Sequence, residues 1–506
     1  MITRLCGCSI LIGVLLCVHA RPSAAESVIP PDRLVDWRPG VQARLSAPEA
    51  GERIRLTPDA LKGPDAAKPI QQAIDRIGKS GVVLLPPGEF TLRTGVRLRS
   101  GVVLRGSGPD RTHLTVDLSE RRTVGAISFK GETQGRDFAL SGGFETGSTR
   151  LEPSGPAPLT KGQTIIVYSE NDPEVMFTDR RWDVVWARQT VGQIVRVEEV
   201  TDKGIRIDVP LRLSYRKELR PRIRVLQPIE NAGVEDLHIR RRDRLEDAII
   251  SIWKAVNCHV RNVHAEHCMR AHVWIVDSRF ITVEGCYFHH AHDYGGGGHG
   301  YGVVAGKRTT DCLVTNNIFE HLRHAMMVKE GANGNVFSYN YSFDNVRLTD
   351  ISIHGHYSYM NLFEGNVVQF VLYADHWGPT GPLTTCFRNR IATRLAVRDH
   401  SHRANIVGNV LLGGDVEVHD TCRDAFVAAN LVGGKWAAGK ASPGSRLRAS
   451  VYLKEKPSFW GNRPWPGIGA DVDRSGTGTP LPAEDRYRRM LGKTDAKTMN
   501  KEGQHD

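Results

Sequence analysis

The residues best able to do chemistry fall in one stretch, from His289 to His376, with the densest run at His289-His-Ala-His-Asp-Tyr-Gly-Gly-Gly-Gly-His-Gly-Tyr-Gly. It supplies His289, His292, Asp293, Tyr294, His299 and Tyr301, and its four successive glycines let backbone approach a ligand closely. Arg323-His324, Lys329-Glu330, Asp350-Ile-Ser-Ile-His354-Gly-His356-Tyr357 and Asp375-His376-Trp377 follow, with Arg398 beyond them. Such a set suits an acidic sugar. β-Elimination needs a cation for the carboxylate, a base for the C5 proton and an acid for the departing oxygen. Arg323 or Lys329 fits the first role, His292, His324 or His356 the second, and Tyr294, Tyr301 or Tyr357 the third; His299 and His354 belong to the same set. Hydrolysis needs two carboxylates, for which Asp293, Glu330, Asp350 and Asp375 are available. His289, Asp293, Asp375, His376, Trp377 and Arg398 are candidate substrate contacts, and Tyr373, Trp253 and Trp274 are further rings on which a sugar could stack. A metal held by His292, His324 and an Asp is a third arrangement of the same groups, although no metal site is assigned.

What must position these groups is an asparagine that returns inside one short apolar frame: Asn316, Asn340, Asn366, Asn389, Asn409 and Asn430, at steps of 24, 26, 23, 20 and 21 residues. A repeat of that length with β-branched or aromatic residues on both sides describes stacked β-coils. An Asn at the bend tolerates the left-handed conformation, and its amide can bond the next Asn above it. The expected fold is therefore all-β, a single-stranded parallel β-helix. Glu284 takes the bend position one coil earlier, and the next marker is 32 residues on, so about ten residues around the glycines loop out. Counting eight residues from each marker makes His292 and His324 stacked neighbours about one strand spacing, ~4.8 Å, apart. Asp350 and His376 fall ten residues past theirs, and alternation sends Asp350, Ser352 and His354 outward if Ile351 and Ile353 face the lumen.

Composition sets the surroundings. Residues 1–25 read as an export signal, with Arg4, the apolar run Ser9 to Val18 and Ser23-Ala24-Ala25. The expected location is secreted or periplasmic, and no later stretch is long and apolar enough for stable membrane insertion. The formal charge of +11 becomes about +9 once Arg4 and Arg21 leave, which points to an acidic polysaccharide as partner. No DNA or RNA motif supports nucleic acid. Six cysteines remain after the signal, scattered at coil-like intervals, which reads as buried small side chains rather than a disulfide framework.

Before the coils, Ala67-Lys-Pro-Ile-Gln-Gln-Ala-Ile-Asp-Arg-Ile places Ile70, Ala73, Ile74 and Ile77 on one helical stripe. Then come Gly81-Val-Val-Leu-Leu-Pro-Pro-Gly-Glu-Phe-Thr-Leu and Gly95-Val-Arg-Leu-Arg-Ser-Gly-Val-Val-Leu-Arg-Gly. This helix-and-strand run resembles the N-terminal capping segment of the pectate-lyase-like superfamily of right-handed parallel β-helices, found in polysaccharide lyases, glycosidases and phage tailspikes. The resemblance implies a right-handed coil, a helix shielding the first coil's open edge, and carbohydrate chemistry. Several lyases of that kind use calcium with an Arg or Lys base, so calcium is a possible cofactor, although their calcium-ligand pattern is not found in this sequence. The expected layout is signal 1–25, linker 26–60, cap and first coils 61–146, a small antiparallel β insertion 147–225, main β-helix 226–450, and a C-terminal cap with a disordered tail 451–506.

Overall fold

Short apolar strands separated by single left-handed residues stack as coils, because each coil buries its face only against its neighbours. The computed structural model of the protein describes residues 28–41, 51–118, 125–347, 349–374, 377–437, 439, 447–476 and 478–502, the last ten by their backbone alone. The export signal, Asp375 and His376 lie outside the described residues. Leu313–Thr315, Val336–Ser338, Leu362–Glu364, Thr385–Phe387, Asn405–Val407 and Phe426–Ala428 pair in parallel as a first sheet. One bend later each coil enters a second sheet, through Tyr287–Ala291, Ile318–Glu320 and Tyr341–Phe343. A longer connection leads to a third, through Ala271–Val276, Tyr301–Ala305, His324–Val328 and Ile351–Ile353. The protein is thus an all-β parallel β-solenoid. Ile250, Val273, Val303, Met326 and Ile351 stand in one register column inside it. Each such buried side chain contributes about 1.5–3 kcal/mol relative to exposure.

The asparagine ladder exists, one residue from where the spacing put its start. Asn317, Asn340, Asn366, Asn389 and Asn409 each donate a side-chain N–H to the Oδ1 of the next, at 2.9–3.0 Å, in a ladder that ends at Asn430. The left-handed residue is the one before each: Asn316, Tyr339, Gly365, Arg388, Gly408 and Ala429. Two adjacent residues therefore divide the tasks expected of one. Asn316 takes the bend, and Asn317 carries the amide ladder.

The helix Ala67–Arg76 buries Ala67, Ile70, Ala73 and Ile74 against the first coil. Strands between Glu132 and Gln227 close into a six-stranded antiparallel barrel beside the solenoid, with its own core around Ile165, Val195 and Ile223. Residues 28–41, expected as linker, are instead a docked strap. Ile29 and Trp37 pack on Val336, Leu362 and Phe387, and Trp37 Nε1 donates to Met360 O at 2.8 Å. The C-terminal segment, expected to close the last coil, runs back along the stack. Arg388 donates to Arg448 O (2.7 Å), Val451 N–H to Glu364 Oε2 (2.9 Å), and Arg486 to Asn316 O (2.7 Å). The helix Pro482–Glu502 passes through Thr494, where the sequence reads as disordered. Cys258, Cys268, Cys286, Cys312, Cys386 and Cys422 are free thiols, all but the last fully buried. No helix among the described residues is long and apolar enough to cross a membrane.

Candidate functional site

Alternation along the third sheet leaves one face of each strand outside the lumen, where Val304 and Met327 are buried with Tyr301 and Trp274 packs on them, with cationic side chains lying over the rings. Trp274 stands in the outward column with Ser251, Val304, Met327 and Ser352. The Arg270 guanidinium lies 4.6 Å above the Trp274 ring, and Arg323 lies 5.8 Å from the centre of Tyr301. Lys329, just after the strand His324–Val328, holds its Nζ 4.7 Å over Trp186 and 5.6 Å over Trp274, with Glu330 Oε1 at 2.8 Å. Trp186 belongs to the barrel, is 43 % exposed, and stands edge-on to His356 (4.8 Å) and Trp377 (5.2 Å). Trp253, 36 % exposed, continues the strip one strand below Trp274. A cation resting on a ring is held by the ring's quadrupole while keeping donors for another partner.

The glycine-rich loop forms one wall. Neighbouring coils pin its carbonyls: Arg323 donates to Gly295 O, Arg244 to His292 O (2.8 Å) and Arg270 to Gly297 O (3.5 Å). Gly297 and Gly298 adopt φ of 81° and 92°, which side chains rarely tolerate. His299 sits between two exposed carboxylates, 2.9 Å from Glu246 Oε2 and 3.2 Å from Asp293 Oδ2. The N–H of Gly295 on the Asp293 carboxylate lowers its pKa, whereas burial raises that of Tyr294.

The structure brings together Tyr301, Arg323, His324, Lys329, Glu330, His354 and Trp377, and separates the rest. His324 is in register with Tyr301, their rings 5.1 Å apart, and not with His292. The loop intervenes between the second and third sheets, so counting from the markers fails across it. His292 follows the second-sheet strand Tyr287–Ala291, its Nε2 3.1 Å from Arg241 O, so the metal arrangement shared with His324 does not form. Among the described residues no group of three or more His, Cys, Asp or Glu is placed to hold a metal ion. His324 Nδ1 is 2.8 Å from Thr349 O. A carbonyl only accepts, so Nδ1 carries the proton and Nε2 is the basic nitrogen.

His289 lies on the second sheet, stacked on Tyr287, and burial brings its pKa to about 3. Asp350 is fully buried, accepting from Ser342 Oγ (2.6 Å) and from the N–H groups of Gln369 and Phe370 (2.9 Å each), so it fastens a turn rather than facing substrate. Ile351 and Ile353 do face the lumen. His356 is fully buried with Nε2 2.9 Å from Trp182 O, and holds the barrel. Tyr357 packs into the barrel core, where burial pushes its pKa to about 12. His354 stacks on Trp377 at 6.2 Å, and Arg398 pairs with Glu417 at 3.6 Å further along. Sequence reasoning missed Arg270 and Trp186. The latter is 329 − 186 = 143 positions before the lysine it covers, with no local pattern to reveal that.

No family model matches the sequence, and no curated protein is similar to it. Solved structures share the backbone. The Gp54 tailspike of Acinetobacter baumannii bacteriophage AP22, solved with a capsular saccharide, matches at TM-score 0.51 and 10 % identity over 74 % of this chain and 65 % of its own. The tailspike gp49 of Pseudomonas phage LKA1 matches at TM-score 0.52 and 12 % identity over 73 % and 76 %. At such identities the shared property is the β-helix fold. This chain therefore spans slightly less than two thirds of the first tailspike's length.

Proposed function

We propose that this protein is an exported carbohydrate-active enzyme that binds an acidic polysaccharide along the third sheet and cleaves it by β-elimination. The observation that carries the reading is Lys329, largely buried, held over the partly exposed rings of Trp186 and Trp274, with Arg270 on the latter. Rings suit the apolar faces of sugars, and the cations suit uronate carboxylates. In this reading Lys329 or Arg323 neutralises the carboxylate, His324 Nε2 takes the C5 proton, and Tyr301 protonates the departing oxygen. A glycoside hydrolase is the second reading, favoured by the Asp293 and Glu246 carboxylates on either side of His299. The fold shared with a tailspike solved with capsular saccharide is consistent with a polysaccharide partner.

The test is an ultraviolet screen of the mature protein against uronic-acid polysaccharides, with and without calcium. A rising signal from unsaturated products supports elimination. New reducing ends without absorbance overturn it in favour of hydrolysis, and binding without product leaves a polysaccharide-binding β-helix.

A further inference from the structure

A second cluster, outside the groove, joins two coils that the barrel separates in the chain. His113, on the strand Thr112–Val116, and His238, on the strand Gly233–Arg241, are register partners 125 positions apart. Their Nδ1 atoms are 3.0 Å apart. His238 Nε2 is 3.2 Å from Glu266 Oε1. The carboxylate accepts, so Nε2 carries the proton and the Nδ1 lone pair is turned toward His113. A histidine whose second nitrogen donates to a carboxylate, fixing its tautomer, is the usual state of a metal ligand.

We infer that the His113–His238 pair binds one divalent transition-metal ion of the zinc, nickel or copper kind. At metal–nitrogen distances of about 2.0–2.1 Å, two nitrogens on adjacent coordination positions lie about 3.0–3.4 Å apart, the separation found here without a metal. Imidazole nitrogen selects these ions over calcium or magnesium, which take oxygen. His264 and Glu89 are the register partners of His238 and His113 on the outer side of the pair, but among the described residues no group of three or more His, Cys, Asp or Glu is placed to hold a metal ion, so the remaining positions fall to water. Binding moves the His113 proton from Nδ1 to Nε2, leaving both ligands neutral. The ion would bridge the solenoid across the insertion, closing a long loop that the unfolded chain leaves open, and would stabilise the folded state by mass action. His289 and His290 form another pair with Nδ1 atoms 3.0 Å apart, but they are chain neighbours and bridge no separate coils.

The experiment uses the full mature chain stripped with chelator, then titrated with zinc chloride by calorimetry and followed by thermal unfolding. One zinc per chain and a raised unfolding midpoint are expected. His113→Ala, at a partly exposed position, abolishes both effects, as does His238→Ala. Glu266→Gln weakens binding about tenfold or more through loss of the positioning contact. His290→Ala leaves binding intact. Absence of zinc binding, or binding that survives His113→Ala, overturns the assignment, as does loss of binding in His290→Ala with retention in His238→Ala.

Discussion

Lys329 shows how one ammonium can be held and still offered. Two tryptophans and Glu330 fix it, yet none of them uses up all three of its donors. The neighbouring histidines are both buried and divide by partner: His324 has its tautomer set by Thr349 beside Tyr301, whereas His356 holds Trp182 of the barrel. This separation predicts opposite phenotypes. Trp186→Ala removes an exposed ring and should weaken polysaccharide binding about tenfold, the size of one well-placed ring contact, with the unfolding midpoint little changed. His356→Ala removes the contact to Trp182 O and leaves a cavity, so it should lower the midpoint. Binding isotherms and thermal unfolding on both variants check this. Equal stability losses in the two would make Trp186 structural.

The bend is the element on which the whole stack depends, and it uses two residues where the sequence suggested one. Asn366 is fully buried; it donates to Phe337 O (2.9 Å) and accepts from the backbone N–H and the amide of Asn340 (3.0 Å each). Asn366→Ala strands several of these groups in the interior and should cost about 3 kcal/mol or more. Asn316→Gly keeps the left-handed bend, whose φ is 54°, and loses only the hydrogen bond from Arg486 to its Oδ1 (3.1 Å), so it should cost about 1–2 kcal/mol, less than Asn366→Ala. Denaturant midpoints decide between them, and a large loss for Asn316→Gly would restore the bend asparagine as the ladder. The coils were legible because their spacing is a consequence of stacking. The one-residue offset was not, since Asn316 and Asn317 are adjacent asparagines and composition alone cannot assign their roles. The straps were hidden for a different reason. Trp37 and Trp460 are buried by partners hundreds of positions away or in other coils, so nothing in their local pattern marks them as docked.

At the scale of the molecule, buried titratable groups oppose one another in pH. Burial brings His264 to about 4, His289 to about 3, and His272 well below the ordinary 6.5. The unfolded chain binds these protons and the folded one refuses them, so their stabilisation is full above 6.5 and is lost as pH falls. Glu364 works the other way. Burial raises it from 4.5 to about 7 where it holds the C-terminal strap, so lowering the pH from about 7 to 4.5 favours the folded state through this group. Below 4.5 that compensation ends and Glu266 joins the histidines. Burial opposes its ionisation, but the hydrogen bond from His238 prevails and brings it to about 2, so its stabilisation is lost as pH falls from 4.5 toward that value. Each uncompensated proton is worth about 1.4 kcal/mol per pH unit. The thermal midpoint should therefore already decline from 6.5 to 4.5, where the three histidines outweigh Glu364, and decline more steeply just below 4.5. Asp247 and Asp350, raised by burial from 3.8, act in the same direction as Glu364; Glu364→Gln removes the group that opposes the histidines from about 7 to 4.5 and should steepen the upper window, which a pH series of unfolding curves on the two proteins would reveal. An upper window of unchanged slope in that variant would mean that Glu364 is ionised in the folded state, and that the strap rests on a buried charge.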